Sequence, residues 1–140
     1  MTAHNELNGI PCHGNKYLMT EVLRNQWKFD GFVVSDWMDI ERMHDYHNVA
    51  ETLKDAYQIS VDAGMGMHMH GPEFYEAIIE CVKEGSIPEK QIDAAVSKIL
   101  EVKFRLGLFE NPFIDLKKKD EIVFNEKHQQ TALEGARKSI

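Results

Sequence analysis

Apolar side chains recur every three to four residues along several stretches of the chain, the spacing that places them on one face of a helix. The helices predicted in this way cover residues 17–27, 48–63, 73–83, 86–106 and 126–139. Gly64, Gly85 and Gly107 follow three of these stretches, and glycine is common where a helix ends. Residues 111–125 have no clean period and contain Pro, Asp and Lys, which predicts a linker.

Short apolar segments between the helices have the composition of buried strands. Phe32–Val34 is a continuous β-prone run without a polar face, as is typical of a strand covered on both sides in a parallel sheet. Residues 65–70 form a second candidate strand, and residues 1–5 form the end of a third. Strands that alternate with helices predict an α/β fold with a parallel sheet. Three strands are too few to close a barrel.

The composition, with 43% hydrophobic and 28% charged residues, is that of a globular protein rather than a disordered one. A net charge of −7 argues against a nucleic-acid partner, because phosphate binding needs clustered Lys and Arg. No apolar run approaches the roughly 18–20 residues of a membrane span, so no membrane partner is predicted. No signal peptide is recognisable after Met1. Cys12 and Cys81 form no CxxC pair, and neither a disulfide framework nor a zinc site is predicted from them.

A carboxylate close behind the buried strand is the strongest candidate for chemistry. Asp36 follows Val34 after one serine, and in α/β barrels the active site lies where the strands end. Trp37 beside it offers a flat apolar face on which a sugar ring can pack. Two other interpretations stay open from the pattern alone. Asp36 could be the N-cap of a following helix, and Trp37 could be a buried core residue.

Histidines are the other candidates for a site. His44 and His47 are three residues apart on a possible helix, and His68 and His70 share one face of a strand, so either pair could contribute to a metal site. The spacing supplies no convincing third ligand and no HExxH occurs, so neither a metal nor a cofactor is predicted. Three methionines alternate with the strand histidines and are expected in the core, since Met fills irregular gaps. They are Met65, Met67 and Met69.

Three longer runs, in chain order, resemble glycoside hydrolase family 3, which contains many β-glucosidases and β-xylosidases. They are Met1–His13, Leu23–Trp37 and Lys103–Pro112. The Gly-Phe-Val-Val-Ser-Asp-Trp sequence in the second run is highly specific, and Leu-Gly-Leu-Phe-Glu-Asn-Pro in the third marks the end of the family's barrel domain. The resemblance implies that residues 1–112 are the C-terminal part of a (β/α)8 TIM-like barrel, about three strands with their helices. Residues 113–140 would then be a linker and the first helix of an α/β sandwich domain.

The resemblance also implies a retaining β-glycosidase, with β-glucosidase as the expected activity. Asp36 matches the nucleophile that forms a covalent glycosyl-enzyme, and Trp37 matches an aromatic residue that lines the sugar site. Met1 and His4 correspond to a strand end that borders the sugar pocket, although many members have Tyr in place of His4. In much of the family the acid/base residue lies in the second domain, outside this sequence. Gly66 stands where members often carry Asp, which bears on the packing of the last strand.

The sequence therefore predicts an incomplete piece of a longer glycosidase that is inactive by itself. Its expected partners are the missing portions of the parent chain and a small-molecule oligosaccharide or glycoside substrate. The alternative is a non-catalytic, truncated fragment that binds carbohydrate weakly or has no function. The resemblance is compatible with a periplasmic or secreted parent enzyme, while the residues themselves leave the compartment undetermined.

Overall fold

The computed structural model describes residues 1–71 and 73–139, and helices dominate it. The chain divides into two compact units, residues 1–103 and the part that begins at Phe104. The elements that begin in the first unit are β1 (Glu6–Leu7), β2 (Ile10–Pro11), a 3-10 turn (Cys12–Gly14), a π-helix (Tyr17–Gln26), α1 (Arg42–Asp45), α2 (Leu53–Ala63), α3 (Glu73–Lys83) and α4 (Glu89–Arg105). Among the described residues, no helix combines the length and apolar character needed to span a bilayer.

The helices follow the predicted pattern closely, except that α2 and α4 begin later than predicted, at Leu53 and Glu89. Helix α3 spans the predicted range, and α4 ends one residue before its predicted end. Helix α2 begins at Leu53 rather than at residue 48, because Thr52 and Asp55 form a reciprocal capping box there. The Thr52 hydroxyl oxygen accepts a hydrogen bond from Asp55 N (3.2 Å), and the Asp55 carboxylate accepts one from Thr52 N (3.0 Å). Gly64 ends α2 with a φ of +108°, a conformation that glycine adopts without strain.

The predicted strands are present as paired backbone segments but are not regular strands. Thr2 N donates to Val34 O (3.2 Å), Gly66 N donates to Val33 O (3.0 Å) and Ser35 N donates to Met67 O (2.9 Å). Val34 and Met67 form a parallel bridge, so the parallel pairing is confirmed. The prediction of a strand over residues 65–70 is wrong in extent, since within the described residues the regular sheet is limited to the antiparallel pair β1–β2. Residues 33–35 and 66–67 are joined by three backbone hydrogen bonds, a shorter pairing than that of ordinary strands of about 5–6 residues.

The core of the first unit lies mainly between α2 and α3 and beneath the segment that contains Val33. Tyr57 on α2 and Cys81 on α3 are almost completely buried. Burying each large apolar side chain contributes about 1.5–3 kcal/mol. The buried apolar residues are Met19, Val33, Ile40, Met43, Ala56, Tyr57, Val61, Ala63, Met65, Ile78, Cys81 and Ile87. Of the three methionines expected in the core, only Met65 is buried, while Met67 and Met69 are exposed.

The described part of the second unit, up to Ser139, contains two helices, α5 (Leu116–Ile122) and α6 (Glu126–Lys138). Helix α6 is the predicted final helix, and Asn125 caps it by accepting a hydrogen bond from His128 N (3.0 Å). Helix α5 lies inside the stretch predicted as a linker. It begins after Asp115, whose carboxylate accepts a hydrogen bond from Lys117 N (3.0 Å). This local cap explains how a segment without a clean apolar period forms a short helix.

We expect Thr52→Ala to lower the free energy of unfolding by about 1 kcal/mol, because it removes the capping oxygen at the start of α2. Thr52→Ser is the matched control, since serine keeps that oxygen. Both values are measured by urea unfolding followed by circular dichroism. Equal stability of the alanine and serine variants would contradict the capping role.

Candidate active site

Residues 33–35 are hydrogen-bonded to Thr2 on one side and to residues 66–67 on the other, and we call these paired segments the ladder. Asp36 is the first residue after the ladder. Ser35 is fully buried, and its hydroxyl oxygen accepts a hydrogen bond from Met69 N (2.9 Å). Its own N–H donates to Met67 O, so Ser35 ties residues 67 and 69 to the end of the 33–35 segment. The side chain of Asp36, one residue further on, is 27% exposed. The carboxylate therefore sits at the rim of a rigid, buried support.

Three contacts hold Asp36 in place. Its backbone N–H donates to His13 Nε2 at 3.0 Å. One carboxylate oxygen, Oδ1, accepts a hydrogen bond from Trp37 N at 2.7 Å, and the other, Oδ2, lies 3.1 Å from His4 Nε2. The next helix, α1, does not begin until Arg42, and its first residues are preceded by Glu41. The helix-cap interpretation of Asp36 is therefore wrong.

Trp37 presents an exposed aromatic surface beside the carboxylate. Its side chain is 54% exposed, so the core interpretation is wrong. One face of the indole stacks on the ring of His70, with centroids 4.0 Å apart and planes 21° from parallel. Met1 is 72% exposed and precedes Thr2, whose N–H is bonded to Val34. The structure thus brings His4, Asp36 and Trp37 together, and it shows Met1 exposed to solvent.

A second carboxylate, Asp39, lies buried beneath Asp36. Its side chain is only 3% exposed, and three basic groups surround it. His4 Nδ1 contacts Oδ2 directly, His13 Nδ1 lies 3.7 Å from Oδ2, and Arg42 Nε lies 3.7 Å from Oδ1. His4 therefore bridges the two carboxylates, with one ring nitrogen on Asp36 and the other on Asp39. The sequence reasoning missed Asp39, although its spacing of three residues from Asp36 was visible.

His13 is the second residue that the sequence reasoning missed. It is 2% exposed, and burial lowers its pKa by disfavouring the charged imidazolium, an effect that nearby His4 and His47 reinforce and that Asp39 and Asp36 oppose. A neutral ring whose Nε2 accepts the Asp36 N–H carries its proton on Nδ1, which faces Asp39. The signal in the sequence was its place two residues after the Gly9-Ile10-Pro11 turn.

A further buried network supports the segment that carries His70. Glu41 Oε1 accepts a hydrogen bond from Tyr57 OH (3.2 Å) and lies 2.9 Å from His68 Nε2. Burial alone would raise the pKa of Glu41, but the hydrogen bond from His68, with contributions from the backbone and from Tyr57, lowers it below the ordinary value. Burial and the charge of Glu41 raise the pKa of Tyr57. His68 also stacks on Phe74, with centroids 4.5 Å apart.

The histidines considered as metal ligands are each engaged in a different contact. His68 faces Glu41, His70 stacks on Trp37, and His44 Nδ1 lies 3.1 Å from Ala50 O. Across residues 1–71 and 73–139, no group of three or more His, Cys, Asp or Glu side chains is arranged to hold a metal ion. Gly66 packs against the Val33 backbone, and a Cβ there would lie 3.3 Å from Val33 O. A larger side chain at this position needs a small local shift.

Comparison with known proteins identifies the family. Residues 1–102 match the family model described as the glycosyl hydrolase family 3 N-terminal domain, and the chain belongs to this family. It is 44% identical over 116 residues to a putative β-xylosidase of Formosa agariphila, covering 83% of this chain and 15% of the relative. It is 40% identical over 110 residues to a lysosomal β-glucosidase of Dictyostelium discoideum, covering 77% and 13%.

Solved structures agree with this assignment. A β-glucosidase involved in saponin metabolism from intestinal bacteria superimposes with a TM-score of 0.83 at 40% identity, covering 94% of this chain and 17% of that one. The β-glucosidase of Listeria innocua in complex with glucose gives a TM-score of 0.81 at 35% identity, covering 89% and 17%. The chain therefore spans only about one sixth of the length of these proteins.

We expect His13→Gln to reduce the dependence of the free energy of unfolding on pH, so that the variant loses less stability when the pH is lowered. The pKa of His13 is lowered in the folded chain, so below about pH 6.5 the unfolded chain binds a proton that the folded chain does not. The free energy of unfolding therefore decreases as the pH is lowered. Glutamine has no ionisable group. The slope of the free energy of unfolding against pH should therefore fall by up to about 1.4 kcal/mol per pH unit.

Urea unfolding between pH 7.5 and pH 5.5, above the range in which most carboxylates titrate, measures this slope. His128→Gln, at an exposed position in α6, controls for the loss of one imidazole from the chain. Identical slopes for the unmodified chain and His13→Gln would contradict the lowered pKa.

Proposed function

We propose that this chain is the nucleophile-bearing part of a retaining β-glycosidase, most specifically a β-glucosidase, with Asp36 as the nucleophile. The observation that carries the proposal is the partial exposure of the Asp36 carboxylate together with the contacts that hold it. Asp36 is partly exposed, it follows the 33–35 segment directly, and its backbone and both oxygens are held by contacts to His13, Trp37 and His4. A carboxylate held in this way is prepared to attack without a large conformational cost.

The proposed reaction has two steps. Asp36 attacks the anomeric carbon, the bond to the leaving oxygen breaks, and an acid/base carboxyl protonates that oxygen. The same carboxyl, now ionised, takes a proton from water, whose oxygen attacks the anomeric carbon and releases the sugar and Asp36. Retention requires the two carboxyl groups to lie about 5–5.5 Å apart across the substrate.

The acid/base group is proposed to lie outside this chain. The carboxylates closest in sequence to Asp36 are Asp39 and Glu41, and both are buried. A carboxyl that must protonate a glycosidic oxygen has to reach the substrate, and neither side chain is exposed enough to do so. This supports a longer enzyme in which another part of the chain supplies the second carboxyl.

The substrate is proposed to be a small glycoside that rests against Trp37. The exposed indole face beside Asp36 suits the apolar C–H face of a sugar ring, and His4 contacts the Asp36 carboxylate. Met1 is proposed to border the same sugar on the family resemblance alone. Solved relatives of the chain include the Listeria innocua β-glucosidase in complex with glucose, isofagomine and laminaribiose. These ligands support a glucose-like sugar in the proposed site.

The proposed architecture is the C-terminal part of a (β/α)8 barrel over residues 1–112, followed by a linker and the first helix of a sandwich domain over residues 113–140. Support for the barrel comes from the parallel pairing of residues 33–35 with residues 66–67 and from the family match to residues 1–102. In a barrel of this kind the side chains at the carboxyl ends of the strands form the site, which agrees with the position of Asp36.

We expect a slow 2-fluoro glycoside to label Asp36 when the enzyme is expressed with its flanking coding sequence. The fluorine slows the second step, so the glycosyl-enzyme accumulates and peptide mass spectrometry identifies the modified residue. Asp36→Asn should abolish both labelling and hydrolysis of an aryl β-glucoside, because the amide is a far weaker nucleophile. Asp62→Asn, at an exposed site on α2, is the matched control. A label on another residue would overturn the assignment.

The 140-residue chain by itself is expected to show no hydrolysis of aryl β-glycosides, because Asp39 and Glu41, the carboxylates closest to Asp36 in sequence, are buried and the acid/base group is proposed to lie outside the chain. The alternative of a non-catalytic fragment predicts the same inactivity for the isolated chain, and the hydrolysis expected of the longer enzyme separates the two. Hydrolysis by the purified 140-residue chain that disappears in Asp36→Asn would refute the need for an external acid/base group. The measurement is release of the aryl chromophore at high protein concentration.

A further inference from the structure

We propose that His13 and Asp39 form a positioning pair that fixes the backbone of Asp36 and thereby aims its carboxylate at the sugar. The inference rests on the proposed role of Asp36 as the nucleophile. It assigns a task to two buried, titratable residues that the reaction itself does not use. Neither residue touches the substrate in this scheme, so both act only through Asp36.

The hydrogen bond from Asp36 N to His13 Nε2 is the central contact of the pair. At 3.0 Å it is a normal hydrogen bond, and it satisfies a backbone donor at the point where the chain leaves the ladder. Trp37 N, the next backbone donor, is taken by Asp36 Oδ1. Two consecutive backbone N–H groups are therefore paired, one with His13 and one with the carboxylate itself. Moving Asp36 N would rotate the carboxylate that is held against Trp37 N.

Asp39 determines which nitrogen of His13 carries the proton. The acceptor role of Nε2 requires the proton on Nδ1, and Nδ1 lies 3.7 Å from Asp39 Oδ2. The attraction across this distance is electrostatic and acts between two side chains that are at most 3% exposed, where screening by water is weak. Arg42 and His4 face the same carboxylate and offset the cost of burying its charge.

The turn that carries His13 is itself held rigidly. Cys12 N donates to Asn5 O (3.2 Å), and Asn15 N donates to Cys12 O (3.4 Å). Gly14 packs so closely on its surroundings that a Cβ there would lie 2.9 Å from atoms of Ile59 and Met43. The imidazole is therefore presented to Asp36 from a fixed platform rather than from a mobile loop, as a positioning role requires.

The test compares His13→Gln with His13→Met in the enzyme expressed with its flanking coding sequence. The two side chains have similar size, and only glutamine can accept a hydrogen bond from Asp36 N. We expect His13→Met to lower kcat and the rate of labelling by the 2-fluoro glycoside by about 10- to 100-fold, the cost of a small misplacement of a reacting group. The KM should stay close to that of the unmodified enzyme, and His13→Gln should recover most of the loss.

Asp39→Asn provides a second, independent variant. Asparagine keeps the shape and an oxygen that can face Nδ1 but removes the charge, so we expect a smaller fall in kcat than for His13→Met. All rates are expressed per active site, titrated by the amount of covalent label, so that a poorly folded variant is not mistaken for a slow one. His128→Met serves as a surface control.

Three results would overturn the proposal. One is an unchanged kcat per active site in His13→Met together with a lower melting temperature, which would make His13 a purely structural residue. Another is an equal loss in His13→Met and His13→Gln, which would exclude the hydrogen bond as the cause. The third is a label on a residue other than Asp36, which would remove the proposed function as well. The first two results, with the label on Asp36, leave the proposed function standing.

Discussion

Four backbone hydrogen bonds hold residues 33–35 between the N-terminal segment and residues 66–67, and the geometry of the candidate site depends on them. They bring together groups that lie far apart in sequence, because Thr2, Val34 and Met67 become neighbours. His4, Asp36 and His70 follow these paired residues at the same end of the ladder. The buried hydroxyl of Ser35 adds a further tie to Met69. Without this ladder, neither the contact of His4 with Asp36 nor the stack of Trp37 on His70 could form.

The site places several charged groups out of water, and each carboxylate faces basic or hydrogen-bonding groups, although Asp39 Oδ1 and Glu41 Oε2 accept no hydrogen bond from the described residues. Asp39 is surrounded by His4, His13 and Arg42, and Glu41 is paired with His68 and Tyr57. Buried pairs of this kind add little net stability compared with apolar packing, but removal of one partner leaves an uncompensated charge at a cost of about 3–5 kcal/mol. The main effect of these buried pairs is therefore to fix the positions of the side chains around Asp36. Two of the side chains that compensate Asp39, His4 and His13, also contact Asp36 or its backbone, so the electrostatic requirement of Asp39 and the orientation of Asp36 are coupled.

The parts of this structure that could be predicted from the sequence are those that depend on local pattern. Helix α3 has an uninterrupted apolar period and was predicted over its full range, and the parallel pairing followed from the apolar run before Ser35. The position of Asp36 and the exposure of Trp37 beside it also agree with a site at a strand end. The apolar period predicts an α2 that is too long, since the capping box of Thr52 and Asp55 sets the start of the helix instead. Strand regularity could not be predicted, since it depends on neighbouring segments.

His13 could not be found by local reasoning, because it reaches Asp36 across 23 residues of sequence through a turn packed on α2. Asp39 illustrates the opposite difficulty. It lies only three residues from Asp36 and has the same chemistry, yet one carboxylate is buried among basic groups and the other is partly exposed. Solvent exposure, which a sequence does not specify, distinguishes the two carboxylates. Asp36 is accessible to a substrate, whereas Asp39 can act only through its neighbours. Under the proposed function, Asp36 supplies the nucleophile, and the proton for the leaving group comes from a carboxyl in another part of a longer enzyme.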